Sequence, residues 1–193
     1  MKKTIYPILI LVCLSLTSWA QTKWEIDPVH SNIEFEVDHM AISTVTGSFT
    51  DFQCAVESKR NSFDGAKVDA LVQVKSLTTK NVTRDKHLRE DDFFNAEKYP
   101  VITFKSESFV KKSDTKYQVT GWLTIRDVTK KITFPAEYSG MAKLGEKVIS
   151  GFKAEFVINR FDYKLTWNDT LDTGSLVVGK DVNVKLNLEL IKI

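Results

Sequence analysis

The sequence predicts a single all-β domain of eight antiparallel strands, with a short helical segment in a long connection. Three observations lead there. Apolar residues recur at every second position in segment after segment, the period of a strand with one buried and one wet face. No window of comparable strength carries a helical period. A chain of 193 residues also suits one domain with a sizeable core.

The first segment stands apart. Lys2 and Lys3 form a basic start, Ile5 to Leu16 is almost wholly apolar, and Ser18-Trp19-Ala20 supplies small residues at the positions a signal peptidase reads. Residues 1–20 are expected to be a signal peptide of bacterial type, and residues 21–193 the domain it exports to the periplasm or the outside. An apolar run of about a dozen residues falls short of the roughly 20 that span a bilayer, so no stable membrane insertion is expected. Val12 is larger than the Gly, Ala or Ser that usually precedes a lipid-modified cysteine, which argues against lipidation at Cys13.

The strands follow in order. Ser31–His39 turns Ile33, Phe35 and Val37 one way and Asn32, Glu34, Glu36 and Asp38 the other. Val45–Val56 reads as one strand with a bulge, because Gly47 and a change of phase near Asp51-Phe52 interrupt it. The next apolar faces are Val68, Ala70, Val72 and Val74, then Ile102, Phe104 and Ser106, then Tyr117, Val119, Gly121, Leu123 and Ile125. Ile132, Phe134, Ala136 and Tyr138 make a sixth strand. Val148, Phe152, Ala154, Phe156 and Ile158 make a seventh, and Val182, Val184, Leu186, Leu188 and Leu190 close the chain.

Two connections exceed ordinary hairpin length. One holds the helical segment Thr83–Glu90, with Thr83 as cap and Asp85 in the first turn, and then Leu88, Phe93 and Phe94, which need something apolar to cover. The other is Phe161–Lys180. Both read as elements that cover an end or face a ligand. Eight one-faced strands must bury their apolar side against a second sheet or by curling closed. A sandwich fills its interior with side chains, whereas an eight-stranded barrel is just wide enough for one small ligand. Ala70, Ser106, Gly121, Ala136 and Ala154 make space between large inward residues and favour the cavity, although periodicity alone leaves plain core as the commoner outcome.

Composition narrows the function. The 27 Lys and Arg face 25 Asp and Glu, and removing Lys2 and Lys3 with the leader leaves the two balanced. A neutral chain without a basic block is a poor partner for nucleic acid or an anionic membrane surface. Cys54 is the one cysteine of the domain, so no internal disulfide is expected despite export. The chain has no P-loop, no Gly-rich dinucleotide fingerprint and no Gly-x-Ser-x-Gly elbow. His30, His39 and His87 lack mutual metal-ligand spacing, so neither a metal nor another cofactor is expected, and no enzymatic activity.

Several blocks carry a resemblance. They are Trp24-Glu25-Ile26-Asp27-Pro28-Val29-His30-Ser31, then Phe35-x-Val37-x-His39-Met40, then Ser43-x-Val45-x-Gly47-x-Phe49. Arg84-Asp85-x-His87-Leu88 with Asp92-Phe93-Phe94 and Tyr99-Pro100 follows, then Gly121-x-Leu123-Thr124-Ile125-x-x-Val128-Thr129-Lys130, and Ile158-Asn159-Arg160-x-Asp162-Tyr163. In order and spacing the set resembles the YceI-like family across the mature chain. Three positions depart from it: Asp127, Lys164 and Cys54 stand where the family usually has Gly.

The resemblance implies an eight-stranded, lipocalin-like antiparallel barrel in the periplasm, taking the isoprenoid chain of a quinone or polyprenyl lipid for transport, storage or sequestration. The residues expected to line its cavity are Phe35, Val37, Phe49, Val72, Val74, Phe104, Leu123, Phe134, Phe152, Phe156, Val184 and Leu186. His39, Arg84, His87, Asn159 and Arg160 are the candidates for a polar head group, since Arg can pair with pyrophosphate and His or Asn can bond a quinone carbonyl. The structural alternative makes Arg84-Asp85 and Arg160-Asp162 ion pairs that cap the barrel ends, and His30-Ser31 a turn into the first strand. An enzyme acting on a bound quinone or lipid, with His39, His87 and Arg84 converging, and a solid-core structural or stress-related protein are the competing readings. A homodimer is compatible with this chain, but no patch in the sequence marks one.

Overall fold

The computed structural model describes residues 21–59 and 62–193. The expected signal peptide, residues 1–20, lies outside the described residues. The strands are β1 (Gln21–Ile26), β2 (Asn32–His39), β3 (Ser43–Phe49), β4 (Phe52–Lys59), β5 (Ser62–Gln73), β6 (Leu77–Thr78), β7 (Val101–Lys111), β8 (Lys116–Ile125), β9 (Val128–Leu144), β10 (Lys147–Asn159) and β11 (Val178–Lys192). The helix α1 spans Val82–Leu88, and short 3-10 turns occupy Val74–Ser76 and Arg160–Tyr163.

The sheet closes. Strands run in the order β1, β4, β5, β7, β8, β9, β10, β11, and β11 returns to pair with β1, all antiparallel. Closure removes the unpaired edges of an open sheet. The long β11 makes it feasible by serving two partners on one side. Leu190–Lys192 pairs with Trp24–Ile26 of β1, while Val182–Asn187 pairs with Asn32–Val37 of β2, which carries β3 and β6 as a flap on the barrel.

The ring recruits different strands from those the alternation picks out. β1 is short and reads as one strand only when Trp24 is seen buried, its indole Nε1 donating to Ser58 Oγ of β4 at 2.9 Å. The expected single strand Val45–Val56 is two, because the chain corners at Thr50-Asp51. Phe49 pairs with Ile33 and Leu77, while Phe52 pairs with Val72 on a different neighbour. The corner is pinned by Thr50, whose amide and hydroxyl both donate to the Ser76 carbonyl. The change of phase is therefore a corner rather than a bulge. A bulge does occur opposite Gly121, between Ser106 and Ser108 of β7.

Connectivity separates two ends. The β4–β5, β7–β8 and β9–β10 hairpins lie at one, where Trp24, Phe63, Phe109, Tyr117 and Phe152 pack as an aromatic plug, with Phe63 and Phe152 centroids 4.8 Å apart. Both long connections and the β8–β9 turn lie at the other. The helix begins one residue earlier than expected, at Val82, and ends at Leu88 rather than Glu90. Asn81, not Thr83, is the cap, its side chain accepting from the Arg84 amide at 3.0 Å.

Candidate functional site

The two long connections pack on each other as a lid over the second end. The Phe93 and Trp167 rings stack at 5.6 Å, His87 meets both edge-on, and the Trp167 amide donates to the Asp92 carbonyl. Arg126, in the β8–β9 turn, ties them together by donating to the carbonyls of Phe93 and Lys164 at 2.8 and 2.6 Å. Leu88, Phe93 and Phe94 find their cover here, turned toward the barrel interior.

Between plug and lid lies a cavity of about 260 Å³ whose accessible wall is entirely apolar. It exists because inward residues of unequal size do not fill the ring. Ala70, Ala136 and Ala154 leave room, and Phe104, Phe156 and Val184 face inward yet remain only half-buried. Ser106, the polar member of an inward face, is satisfied by the backbone: its Oγ accepts from the Val68 amide at 2.8 Å. Two glycines permit close approach. A Cβ on Gly47 would meet the Phe35 ring at 2.2 Å, and one on Gly121 would meet both the Lys105 carbonyl oxygen and the Phe104 ring at 2.5 Å.

Of the residues expected to line the cavity, all but Val74 do. Val74 is buried elsewhere: β5 ends at Gln73, and Val74 opens a 3-10 turn with its amide donating to the Pro100 carbonyl, so the strand period no longer sets its direction. Sequence reading missed Phe52, Phe63, Tyr163 and Leu165, which also line the wall. Phe63 sits in the early part of β5, before the alternation becomes regular. Tyr163 and Leu165 lie in a connection without periodicity.

The expected polar residues do not converge on the cavity. Arg160 alone among them lines it, and each nitrogen of its guanidinium donates to a backbone carbonyl. Nε donates to the Gly179 carbonyl at 2.8 Å, Nη1 to those of Leu165 and Trp167 at 2.7 Å, and Nη2 to that of Val178 at 2.9 Å. The side chain is 4 % exposed, and burial lowers its pKa. Asn159 caps the adjoining turn, accepting from the Phe161 amide. Arg84 donates to the hydroxyl and carbonyl of Thr79, His87 pairs with Asp92 at 2.9 Å, and His39 lies near the end of β2.

The expected capping ion pairs take another form. Asp85 accepts from the Thr79 amide, the Thr79 hydroxyl and the Thr78 hydroxyl rather than from Arg84. Burial raises its pKa, but those bonds and the nearby Arg89 outweigh burial and hold the carboxyl below its usual value. Asp162 pairs with Lys130 at 3.0 Å rather than with Arg160. Two of the departures from glycine answer each other. Lys164 takes a left-handed conformation, φ 61°, and its Nζ lies 2.8 Å from the Asp127 carboxylate.

A separate cluster closes the β1–β2 turn. His30 Nδ1 lies 3.0 Å from Asp27 Oδ2 and 4.0 Å from Glu189 Oε1, while Ser31 Oγ accepts from the Glu189 amide at 2.8 Å. The His30-Ser31 turn thus locks the start of β2 to β11. Glu189, far along the chain, could not be anticipated as its partner.

Comparison with known proteins agrees with this architecture. The YceI-like domain profile matches residues 24–190. The UPF0312 protein SAR2769 of Staphylococcus aureus (strain MRSA252) is 38% identical over 170 residues, covering 87% of this chain and 96% of that protein. The YCEI protein of Campylobacter jejuni superposes with a TM-score of 0.69 at 36% identity, over 79% of this chain and 87% of that one. Two more distant structures share the fold. Burkholderia cenocepacia BcnA has a TM-score of 0.72 at 23% identity, covering 85% of this chain and 98% of that one. A polyisoprenoid binding domain from Saccharophagus degradans has 0.64 at 18%, covering 86% and 97%. With the profile matched across the whole barrel and relatives above one-third identity along most of the chain, this protein belongs to the YceI-like domain family.

Proposed function

We propose that the protein is an exported binding protein that holds an isoprenoid lipid, a quinone or a polyprenyl chain, in the barrel cavity for transport, storage or sequestration. The observation that carries this reading is the closed barrel with an all-apolar cavity between plug and lid. An apolar void is costly, about 24 cal/mol per Å³, or roughly 6 kcal/mol for 260 Å³. A ligand made of apolar surface returns that cost and adds about 25 cal/mol for each Å² it removes from water. Branched and aromatic walls suit an isoprenoid chain. The fold relative from Saccharophagus degradans, described as a polyisoprenoid binding domain, supports the same ligand class. The leader expected in residues 1–20 supports export.

The test is mass spectrometry of a solvent extract from protein purified without denaturation from a bacterial host. A co-purifying isoprenoid in near-stoichiometric amount is expected. A protein that yields no lipid, and after solvent extraction takes up neither an apolar dye nor an added isoprenoid, would overturn the reading.

A further inference from the structure

Outside the cavity, the β1–β2 turn and β11 bring a nitrogen donor and two carboxylates together. His30 Nδ1 and one carboxylate oxygen each of Asp27 and Glu189 all lie within 4.8 Å of one another. Nδ1 is 3.0 Å from Asp27 Oδ2 and 4.0 Å from Glu189 Oε1. Ligands placed tetrahedrally at about 2.1 Å from a zinc ion stand about 3.4 Å apart. The two distances to the imidazole bracket that separation, so shifts of about half an ångström bring both oxygens to it. Among the described residues, no other group of three or more His, Cys, Asp and Glu side chains meets this spacing.

The bonds that fix these residues do not use the three donor atoms. The Asp27 amide donates to the Glu189 carbonyl at 2.7 Å, and the Glu189 amide donates to Ser31 Oγ at 2.8 Å. The Val29 amide donates to Asp27 Oδ1 at 2.9 Å, which leaves Oδ2 turned to the imidazole. Such an outer hydrogen bond is what orients a ligating carboxylate. Closing the turn therefore needs Glu189 only for its backbone. Its carboxylate points at Nδ1 from 4.0 Å, too far for a hydrogen bond, and takes none from a described residue. Gly151 stands opposite it on β10 and offers no side-chain donor. The His30 side chain is 63% exposed, so an ion carrying water can reach Nδ1 from solvent.

We infer that Asp27, His30 and Glu189 bind a divalent transition-metal ion, zinc, with water completing its coordination. One imidazole with two carboxylates suits zinc, whereas magnesium and calcium take oxygen ligands throughout. The ion ties the β1–β2 turn to β11 at the point where β11 changes partner from β1 to β2, and so clamps the seam at which the barrel closes. None of the three residues lines the cavity, so this site is independent of what the cavity holds.

The test uses the mature chain without a polyhistidine tag, stripped of metal with a chelator and titrated calorimetrically with zinc chloride at neutral pH. The proteins compared are the parent, Glu189→Gln, His30→Gln and His87→Gln. One zinc per chain is expected for the parent and for His87→Gln. Glu189→Gln keeps the amide and carbonyl that close the turn, and is expected to weaken zinc binding at least about ten-fold. His30→Gln is expected to abolish it. With 15N-labelled histidine in the parent, zinc should move the Nδ1 resonance of His30 and leave those of His39 and His87 in place. Zinc should also raise the urea midpoint of the parent more than that of Glu189→Gln. No zinc binding by the parent across the micromolar range would overturn the inference, as would equal affinity in parent and Glu189→Gln, binding retained by His30→Gln, or an unmoved His30 resonance.

Discussion

Replacing Arg160 by methionine keeps most of the length of the side chain and its apolar stem but removes every donor that holds the carbonyls of Leu165, Trp167, Val178 and Gly179. Each buried hydrogen bond contributes about 1 kcal/mol net, so the four together amount to about 4 kcal/mol. Part of this is returned, because the guanidinium no longer has to be kept out of water, a strain visible in its lowered pKa. A net loss of about 3 kcal/mol is expected. With a urea slope of about 2 kcal/mol per M, the midpoint falls by roughly 1.5 M. Equilibrium unfolding followed by tryptophan fluorescence measures the shift, and hydrogen exchange over residues 165–179 should rise with it as the lid loosens from β11. Arg160→Lys keeps the charge without the planar fork and is expected to recover less than half of the loss. A midpoint within 0.3 M of the parent, on the order of the extrapolation error, would refute the reasoning. So would a loss of lipid binding at unchanged stability, which would make Arg160 a ligand contact.

Three further outcomes follow from the geometry. Gly121→Ala drives a methyl into the Lys105 carbonyl and the Phe104 ring and is expected to cost about 2–3 kcal/mol, read as a lower urea midpoint; a neutral substitution would mean the β7 bulge can open. Lys164→Gly should stay within about 1 kcal/mol of the parent, since relief of the left-handed backbone offsets the lost ion pair, while Lys164→Val should lose about 2 kcal/mol. The hydrogen bond from Asp27, and then the charges of Asp27 and Glu189, raise the pKa of His30 above 6.5. Its contribution to stability is therefore full below 6.5 and lost as pH rises through the raised folded value. The same pair lowers the Asp27 pKa, so that contribution is present above 3.8 and lost as pH falls through the lowered value. A pH series of urea midpoints should show this window, and His30→Gln should flatten both flanks.

Much of the architecture is legible along the chain because a strand's period of two is local. Phe35, Phe104, Phe134 and Val184 face inward for the reason their neighbours are polar, and each lines the cavity. Corners are less legible. At Thr50-Asp51 a change of partner strand and a bulge leave the same mark on the alternation, and only the ladders of β3 and β4 tell them apart. The polar residues were the least legible. Arg84, Asn159 and Arg160 look like a head-group site in one dimension, yet in space they bond carbonyls, hydroxyls and amides of their own connections. Backbone carbonyls have no sequence signature, so an arginine's partners cannot be read from residue types.

The amino-acid order alone determined the all-β class, the faces of most strands, and the place of the two long connections, because these depend on neighbours one or two residues apart. Closure of the ring through β1 and β11, the unfilled cavity, the pairing of Lys164 with Asp127 and the meeting of Asp27 and His30 with Glu189 were decided by the tertiary structure. Each depends on groups brought together across the barrel, where side-chain volume and hydrogen-bond geometry, not order along the chain, set what touches what.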